Sequence, residues 1–477
     1  MTPSTRGAGG RGRGDRTDLL RASTAGLIAA FVGFAGSFAI VLEGLRAVGA
    51  SRAEAASGLM ALCVAMGVCG VLLSVRHRMP ISIAWSTPGA ALLAASATVS
   101  GGFAAAVGAF LVASVLIVVA GLWRRLGRWV AAIPAPLANA MLAGVLLPLC
   151  LAPARAVADE PLLGLAVVLT WAVVGSVSKL YAMPAAVIVT LVLVATTTNL
   201  DLAALGPLWS APVLVTPAFS VTALVGIALP LFVVTMASQN VPGIAVLNAN
   251  GYRPEPGPLF SWTGVFGLLS APFGGHAVNL AAITAALCAG EEAGADPRRR
   301  YRAAVVAGVA YVLLGLGAGA AVAFVAASPP TLIAAVAGLA LLGALGGSLL
   351  GAVADPGDRE AAVVTLVVTA SGVTFFGIGG AFWGLLAGGA LYAVRHHTLR
   401  RRARRAAAAD APGAGDPAAA PGSAVALGPA DPAGAPVPGD PARPGSPAGP
   451  GVSARPASPA GAGERPAGDQ GSVSGVR

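Results

Sequence analysis

Apolar residues dominate the chain from about residue 22 to residue 395, in long runs cut by short polar or Pro/Gly punctuation. A helix needs about 20 consecutive apolar residues to cross a bilayer. The pattern predicts fourteen such segments, at about 24–42, 54–75, 81–98, 103–121, 135–152, 160–178, 182–198, 218–238, 258–272, 274–289, 303–326, 331–351, 361–376 and 380–394. The expected fold class is an all-α polytopic membrane protein of about fourteen transmembrane segments.

Two of these segments are unlike the rest. Residues 81–98 and 274–289 are short and carry helix breakers at or near their starts. The first holds Ser86-Thr87-Pro88-Gly89; the second follows Pro272-Phe273-Gly274-Gly275-His276. Paired interrupted segments at corresponding positions of two halves point to a transporter binding site. Setting "IPAPLANAMLAGVLL" (133–147) against "ASPPTLIAAVAGLAL" (327–341), with Pro136 on Pro330, gives an offset of 194. That offset carries Trp85 onto Asn279, Ser86 onto Leu280 and the first segment onto the eighth. Segment boundaries agree over seven pairs. Seven is odd, so the second half crosses in the opposite sense. The chain reads as an inverted seven-plus-seven repeat, about 22–200 and about 216–395.

Composition agrees: 56% of residues are hydrophobic and 10% charged, against about 25% charged in soluble proteins. The net charge of +10 gains meaning from its distribution. Arg6, Arg11, Arg13, Arg16 and Arg21 precede the first segment, and a basic run from Arg395 to Arg405 follows the last. With the N-terminus inside, Arg76-His77-Arg78, Arg124-Arg125-Arg128, Lys179, Arg253, Arg298 to Arg302 and Arg359 all fall on the cytoplasmic side. Arg46, Arg52 and Arg155 fall outside. This is the positive-inside pattern, and it favours an even number of spans with both termini cytoplasmic in a cell (plasma or inner) membrane. No aromatic residues interleave the terminal arginines, which argues against nucleic-acid binding.

Residues 1–21 read as a cytoplasmic tail rather than a signal peptide, because no cleavage site follows the first apolar run. Residues 402–477, rich in Pro, Ala, Gly and Ser and without an aromatic residue, read as a disordered cytoplasmic tail. The four cysteines, Cys63, Cys69, Cys150 and Cys288, lie in or at the ends of apolar runs with no C-x-x-C spacing, as small buried hydrophobes do. No metal site or cofactor is expected.

Irregular backbone survives in a membrane only where it is buried in protein or lines a cavity. Residues 81–85 and 273–278 therefore read as short strands entering the bilayer, each followed by a half-helix. Under inverted symmetry the two half-helix N-termini face each other. Their free N–H groups and partial positive charges make an anion site without a basic side chain. Ser86 and Thr87 suit N-cap roles and Pro88 the first turn; Asn279 stands at the equivalent start of the second half-helix. A hydroxyl at a kink also serves simply to satisfy backbone, and both roles are open here. The eighth segment ends in "TMASQNVPG", where Gln239 and Asn240 are either substrate ligands or an interhelical hydrogen-bonded pair. It faces the first segment, which carries Phe31, Phe34, Ser37 and Phe38. No Asp or Glu lies in the middle of a segment. His276 lies near membrane depth and either carries a proton or caps the strand.

"PISIAWSTPGAALL", "ASQNVPGIAVLNANGY" and "APFGGHAVNLAAITAALCAG" resemble the benzoate:proton symporter family, BenE, over about residues 22–395. That family is similar to the nucleobase and sulfate-type anion transporters. The resemblance implies a core domain of spans 1–4 and 8–11, a gate domain of spans 5–7 and 12–14, and often a homodimer. Nucleobase carriers place acidic residues on spans 8 and 10; here the matching stretches read Ser238-Gln239-Asn240 and Val278-Asn279. The expected function is import of benzoate or a similar aromatic carboxylate with a proton, by alternating access. The carboxylate would sit between the half-helices and the ring against Phe31, Phe34 or Trp85. The competing readings are an uncoupled anion channel or exchanger and a nucleobase symporter. A membrane enzyme is disfavoured, because the segments hold no His/Asp/Glu cluster, H-E-x-x-H or G-x-S-x-G.

Overall fold

The computed structural model describes residues 9–96, 101–123, 134–197 and 209–409. The Arg124-Arg125-Arg128 cluster, residues 1–8 of the N-terminal tail and residues 410–477 of the C-terminal tail lie outside the described residues.

Every expected apolar segment contains a helix. In the first half these are α1 (Gly9–Ala35), α2 (Phe38–Ala47), α3 (Arg52–His77), α4 (Thr87–Ala94), α5 (Gly102–Leu122), α6 (Ala135–Cys150), α7 (Ala152–Asp159), α8 (Pro161–Val177) and α9 (Lys179–Thr197). In the second they are α10 (Val221–Ala249), α11 (Pro256–Ser270), α12 (Ile283–Ala289), α13 (Tyr301–Leu316), α14 (Ala318–Ala327), α15 (Pro330–Val353), α16 (Arg359–Ala370) and α17 (Gly380–Ala409). By length and composition seven helices qualify as membrane-spanning, or eight if the pair bent by 56° before α14 counts as one. Among the described residues, helix length and composition give fewer spans than the fourteen expected.

The helix ends follow local chemistry. Ser51 and Glu54 open α3 with a reciprocal capping box, which satisfies two backbone donors at once. The outermost helices run further than their apolar stretches. α1 begins at Gly9, inside the expected N-terminal tail, and α17 continues through 402–409, where disorder is expected. Arg395 of α17 reaches Glu360 of α16 at 2.7 Å, and His396 lies 3.9 Å from Asp358. These contacts hold the polar end of α17 beside the start of α16.

The closest helix packing falls into two groups. α3 packs on α13, α5 on α11, α1 on α13 and α2 on α4; separately, α6 packs on α15 and α16, α8 on α9, and α16 on α17. The first group gathers segments expected in the core and the second segments expected in the gate. The α3–α13 and α5–α11 pairs are mates under the inverted repeat, since the second and eleventh segments map onto the ninth and fourth. Small residues allow the approach. A Cβ on Gly308 would meet the Gly67 carbonyl at 2.6 Å, so α3 and α13 touch backbone to backbone.

Two three-residue strands, β1 (Ile83–Trp85) and β2 (Val278–Leu280), pair antiparallel inside the core. Ile83, Trp85, Val278 and Leu280 are each at most 2% exposed. The pairs are Ile83 with Leu280, Ala84 with Asn279 and Trp85 with Val278. The pseudo-twofold axis passes the central pair, so Ala84 and Asn279, 195 positions apart, are equivalents. The offset of 194 is thus corrected by one residue. Pro134 and Pro329, both N-cap residues, fall on each other at 195 as well. Ala/Gly-rich helices match themselves in several registers, whereas a strand ladder has one.

Candidate functional site

The strands tie the two half-helices to one ribbon, with α4 leading off beside Ala277 and α12 beside Ser82. The ladder is extended by Ser86 N–H donating to the Ala277 carbonyl at 3.2 Å and Ala281 N–H to the Ser82 carbonyl at 2.9 Å. A two-stranded ribbon is marginal in water. Buried among helices, it satisfies backbone that lipid could not.

Ser86 is the N-cap of α4, as its position predicts. Its Oγ accepts the Gly89 N–H at 3.1 Å, while Thr87 is the first helical residue and Pro88 follows in the first turn. Thr87 is therefore not a second cap. Thr235 of α10 donates its hydroxyl to Ser86 Oγ at 2.9 Å. With both lone pairs of Ser86 Oγ engaged, its own hydroxyl hydrogen remains to be donated.

The second half-helix starts differently. α12 begins at Ile283 behind Ala282, and no side chain caps it. Asn279 is not at its start: it lies in the middle of β2, four residues earlier. Its Nδ2 donates to the Leu280 carbonyl at 2.8 Å, and its Oδ1 is buried without a partner. The peptide groups of Leu280 are engaged by side chains: its N–H donates to Asn240 Oδ1 at 2.9 Å, and its carbonyl accepts from Asn279.

Asn240 is fully buried and closes a π-helical turn, Met236–Asn240, within α10; a second lies at Leu224–Ala228. π turns cluster at functional sites. Here the widened turn places the Asn240 amide against β2. Gln239, on the same turn, is half-buried. The sequence carries no mark of either π turn, and Thr235 reads there as part of an apolar run.

The aromatic expectation divides. Trp85 is buried, its Nε1–H donating to Ser37 Oγ at 2.9 Å. Ser37 in turn donates to the Gly33 carbonyl, at the break between α1 and α2. Phe34 meets Trp85 edge-on at 5.8 Å and stacks on Phe38 at 5.4 Å. Phe31 is 49% exposed and stands outside this cluster. The helix turns by about 100° per residue, so three residues separate the two phenylalanines but not their faces; the exposure of Phe31 comes from the lack of a neighbour over it.

His276 is fully buried, and its Nε2 lies 2.9 Å from the Ser86 carbonyl oxygen. A carbonyl only accepts, so Nε2 carries the hydrogen and Nδ1 presents a lone pair, which has no partner. The ring stands edge-to-face with Phe110 at 6.4 Å. His276 thus ties the second half of the repeat to the cap of α4. The structure brings Ser86, Trp85, His276, Asn279, Leu280 and Asn240, all buried, together with the half-buried Thr87 and Phe34, and leaves Phe31 outside. Two cavities, of about 390 and 170 Å³, lie elsewhere, along the C-terminal end of α4.

Two half-helices leading off a buried antiparallel strand pair, among long apolar helices, fit a multi-pass membrane transporter. The fold is similar to the transmembrane domain of a cyanobacterium bicarbonate transporter, BicA (TM-score 0.54, 16% identity, covering 79% of this chain and 97% of that one). It is also similar to SLC26A9 (TM-score 0.52, 13% identity, 80% of this chain and 65% of that one). The chain belongs to the BenE family, described as benzoate membrane transport protein, whose family model matches residues 19–394. It is 42% identical over 378 residues to the inner membrane protein YdcO of Escherichia coli, covering 78% of this chain and 94% of that protein. It is 31% identical over 369 residues to the benzoate membrane transport protein of Acinetobacter baylyi, covering 77% and 93%.

Proposed function

We propose that this transporter imports benzoate or a similar aromatic carboxylate together with a proton, by alternating access of the core past the gate. The protein would reside in an inner membrane, like YdcO by its name, with both termini cytoplasmic. The observation that carries the reading is the buried β1–β2 pair, which sets the Ser86-capped start of α4 at one end and the uncapped start of α12 at the other. Peptide N–H groups at a helix start favour an anion. Phe34 and Trp85 offer an aromatic wall nearby, and the relative from Acinetobacter baylyi is named for benzoate.

A lone anion entering against a negative interior works against about 2.3 kcal/mol per 100 mV. A proton carried with it removes that opposition. His276 Nδ1 is one group in the cluster able to take the proton. The test is uptake of radiolabelled benzoate into proteoliposomes, with the pH gradient and the membrane potential imposed separately. Accumulation should follow the pH gradient. Uptake that follows the potential and ignores the pH gradient would overturn symport in favour of an uncoupled anion pathway. Competition by uracil and not by benzoate would overturn the substrate class.

A further inference from the structure

The larger cavity, of about 390 Å³, has no role in the site described above. It is lined by Glu43 and Arg46 of α2, Ala94 at the end of α4, Val325 of α14, and Pro330 and Ile333 of α15. Three of these helices belong to the core and α15 to the gate, so the cavity lies where the two groups meet. Its volume falls within the range of small-molecule sites, about 300–1,000 Å³. Its chemistry is one guanidinium and one carboxyl on otherwise apolar walls, which suits a small aromatic acid.

Glu43 Oε2 is buried and has no hydrogen-bond partner. Glu43 and Arg46 stand three residues apart on one helix, yet among the described residues no ion pair joins them. α15, a helix of 24 residues, opens on the same cavity behind Pro329, with no side-chain cap. Its positive end adds to the attraction of Arg46 for an anion. Other charges nearby are few. Arg52 is close enough to repel Arg46; Glu54 is held in the α3 capping box; Glu160 accepts the Thr331 hydroxyl at 2.9 Å. α4, α14 and α15 carry no ionisable side chain.

We propose that Glu43 and Arg46 form an outer binding site for the carboxylic-acid substrate, with Glu43 as the residue that couples the proton to it. This rests on the symport reading and its topology, and it names the coupling group within them. With Glu43 ionised, the pair sums to zero and offers an anion little. With Glu43 protonated, the charge of Arg46 is uncompensated, and the neutral carboxyl can donate its O–H to the substrate. Proton and carboxylate then bind together, and the loaded site carries the same charge as the empty, ionised one. Both residues lie on α2 in the core, the group that also carries the half-helices. Ser86 lies about 12 Å from Ala94 along α4, one short transfer away.

The test uses purified full-length protein in proteoliposomes, with radiolabelled benzoate and the potential clamped. Glu43→Gln should cut pH-gradient-driven accumulation at least about tenfold, while benzoate–benzoate counterflow at equal pH persists. Arg46→Ala should raise KM about tenfold or more, the scale of losing one charged hydrogen bond, and Arg46→Lys should recover part of it. Accumulation by Glu43→Gln at the wild-type level would overturn the coupling role. Should that variant fail to fold, a wild-type KM in Arg46→Ala overturns the site by itself. A wild-type protein that ignores the pH gradient sinks the symport reading and this coupling with it. A symporting wild type whose variants behave identically sinks this site alone.

Discussion

The two half-helices are mates under one pseudo-twofold axis, yet they are finished at opposite ends. α4 is capped at its N-terminus by Ser86, itself held by Thr235 and His276, and its last turn borders the outer cavity. α12 has no cap at its N-terminus, but Arg300 clamps its far end. The buried guanidinium donates from Nη1 to the Ala289 carbonyl and from Nε to the Gly294 carbonyl, both at 2.8 Å. Symmetry fixed the backbone and left the side chains free to diverge. In α4 a side chain takes up a first-turn donor; in α12 no side-chain cap does so. An anion between the two should therefore lean on α12.

The largest effect is expected at the clamp of α12. Arg300→Ala leaves two carbonyls without their donor, at a cost of roughly 3 kcal/mol or more for charged hydrogen bonds lost in a buried place. A clear fall in the detergent melting temperature should follow. Arg300→Lys should recover only part, because an ammonium does not span two acceptors as the planar fork does. A melting temperature unchanged in Arg300→Ala would mean that α12 needs no clamp. Next comes Asn240→Ala, which leaves the Leu280 N–H buried and unpaired, at about 1–3 kcal/mol. Because β2 carries the approach to α12, benzoate uptake should fall with stability. Loss of stability with full uptake would separate the strand from the site.

Ser86→Ala should cost about 1 kcal/mol of cap energy and raise KM for benzoate severalfold through the lost hydroxyl. Asn279→Ala, in the middle of the ladder, should change KM less, because its amide already donates to the Leu280 carbonyl. Equal KM values in wild type and Ser86→Ala would remove the first half-helix from the binding site.

The apolar runs made the helices and the repeat legible, because a bilayer imposes one length and one hydropathy on every crossing. The breaks at Ser86-Thr87-Pro88-Gly89 and before His276 were legible for the reverse reason: nothing else tolerates them there. The offset was misplaced by one residue, since Ala/Gly helices carry no register. Asn279 was accordingly set at a helix start instead of on the strand axis. The π turns left no trace, because the residues of a π turn are those of any α-helix. Arg300 was hidden in a basic loop that reads as a topology marker, and Thr235 in an apolar run. Gly and Arg at the N-terminus and Arg and Ala after residue 395 gave no sign that α1 and α17 continue into them.

The smallest effect, and the sharpest on the comparison, belongs to Thr235→Val. Valine keeps the shape and removes the hydroxyl that donates to Ser86 Oγ. Ser86 still accepts from Gly89, so the cap of α4 survives and stability should change by only about 0.5–1.5 kcal/mol. The freed lone pair no longer obliges the Ser86 hydroxyl to point its hydrogen away from α10. A substrate that depends on that hydrogen should bind a few times more weakly, with the maximal rate unchanged, and Thr235→Ser should restore it. If Thr235→Val leaves KM unchanged while Ser86→Ala raises it, the orientation of the hydroxyl is immaterial. The asymmetry between the half-helices would then lie in their backbone donors alone.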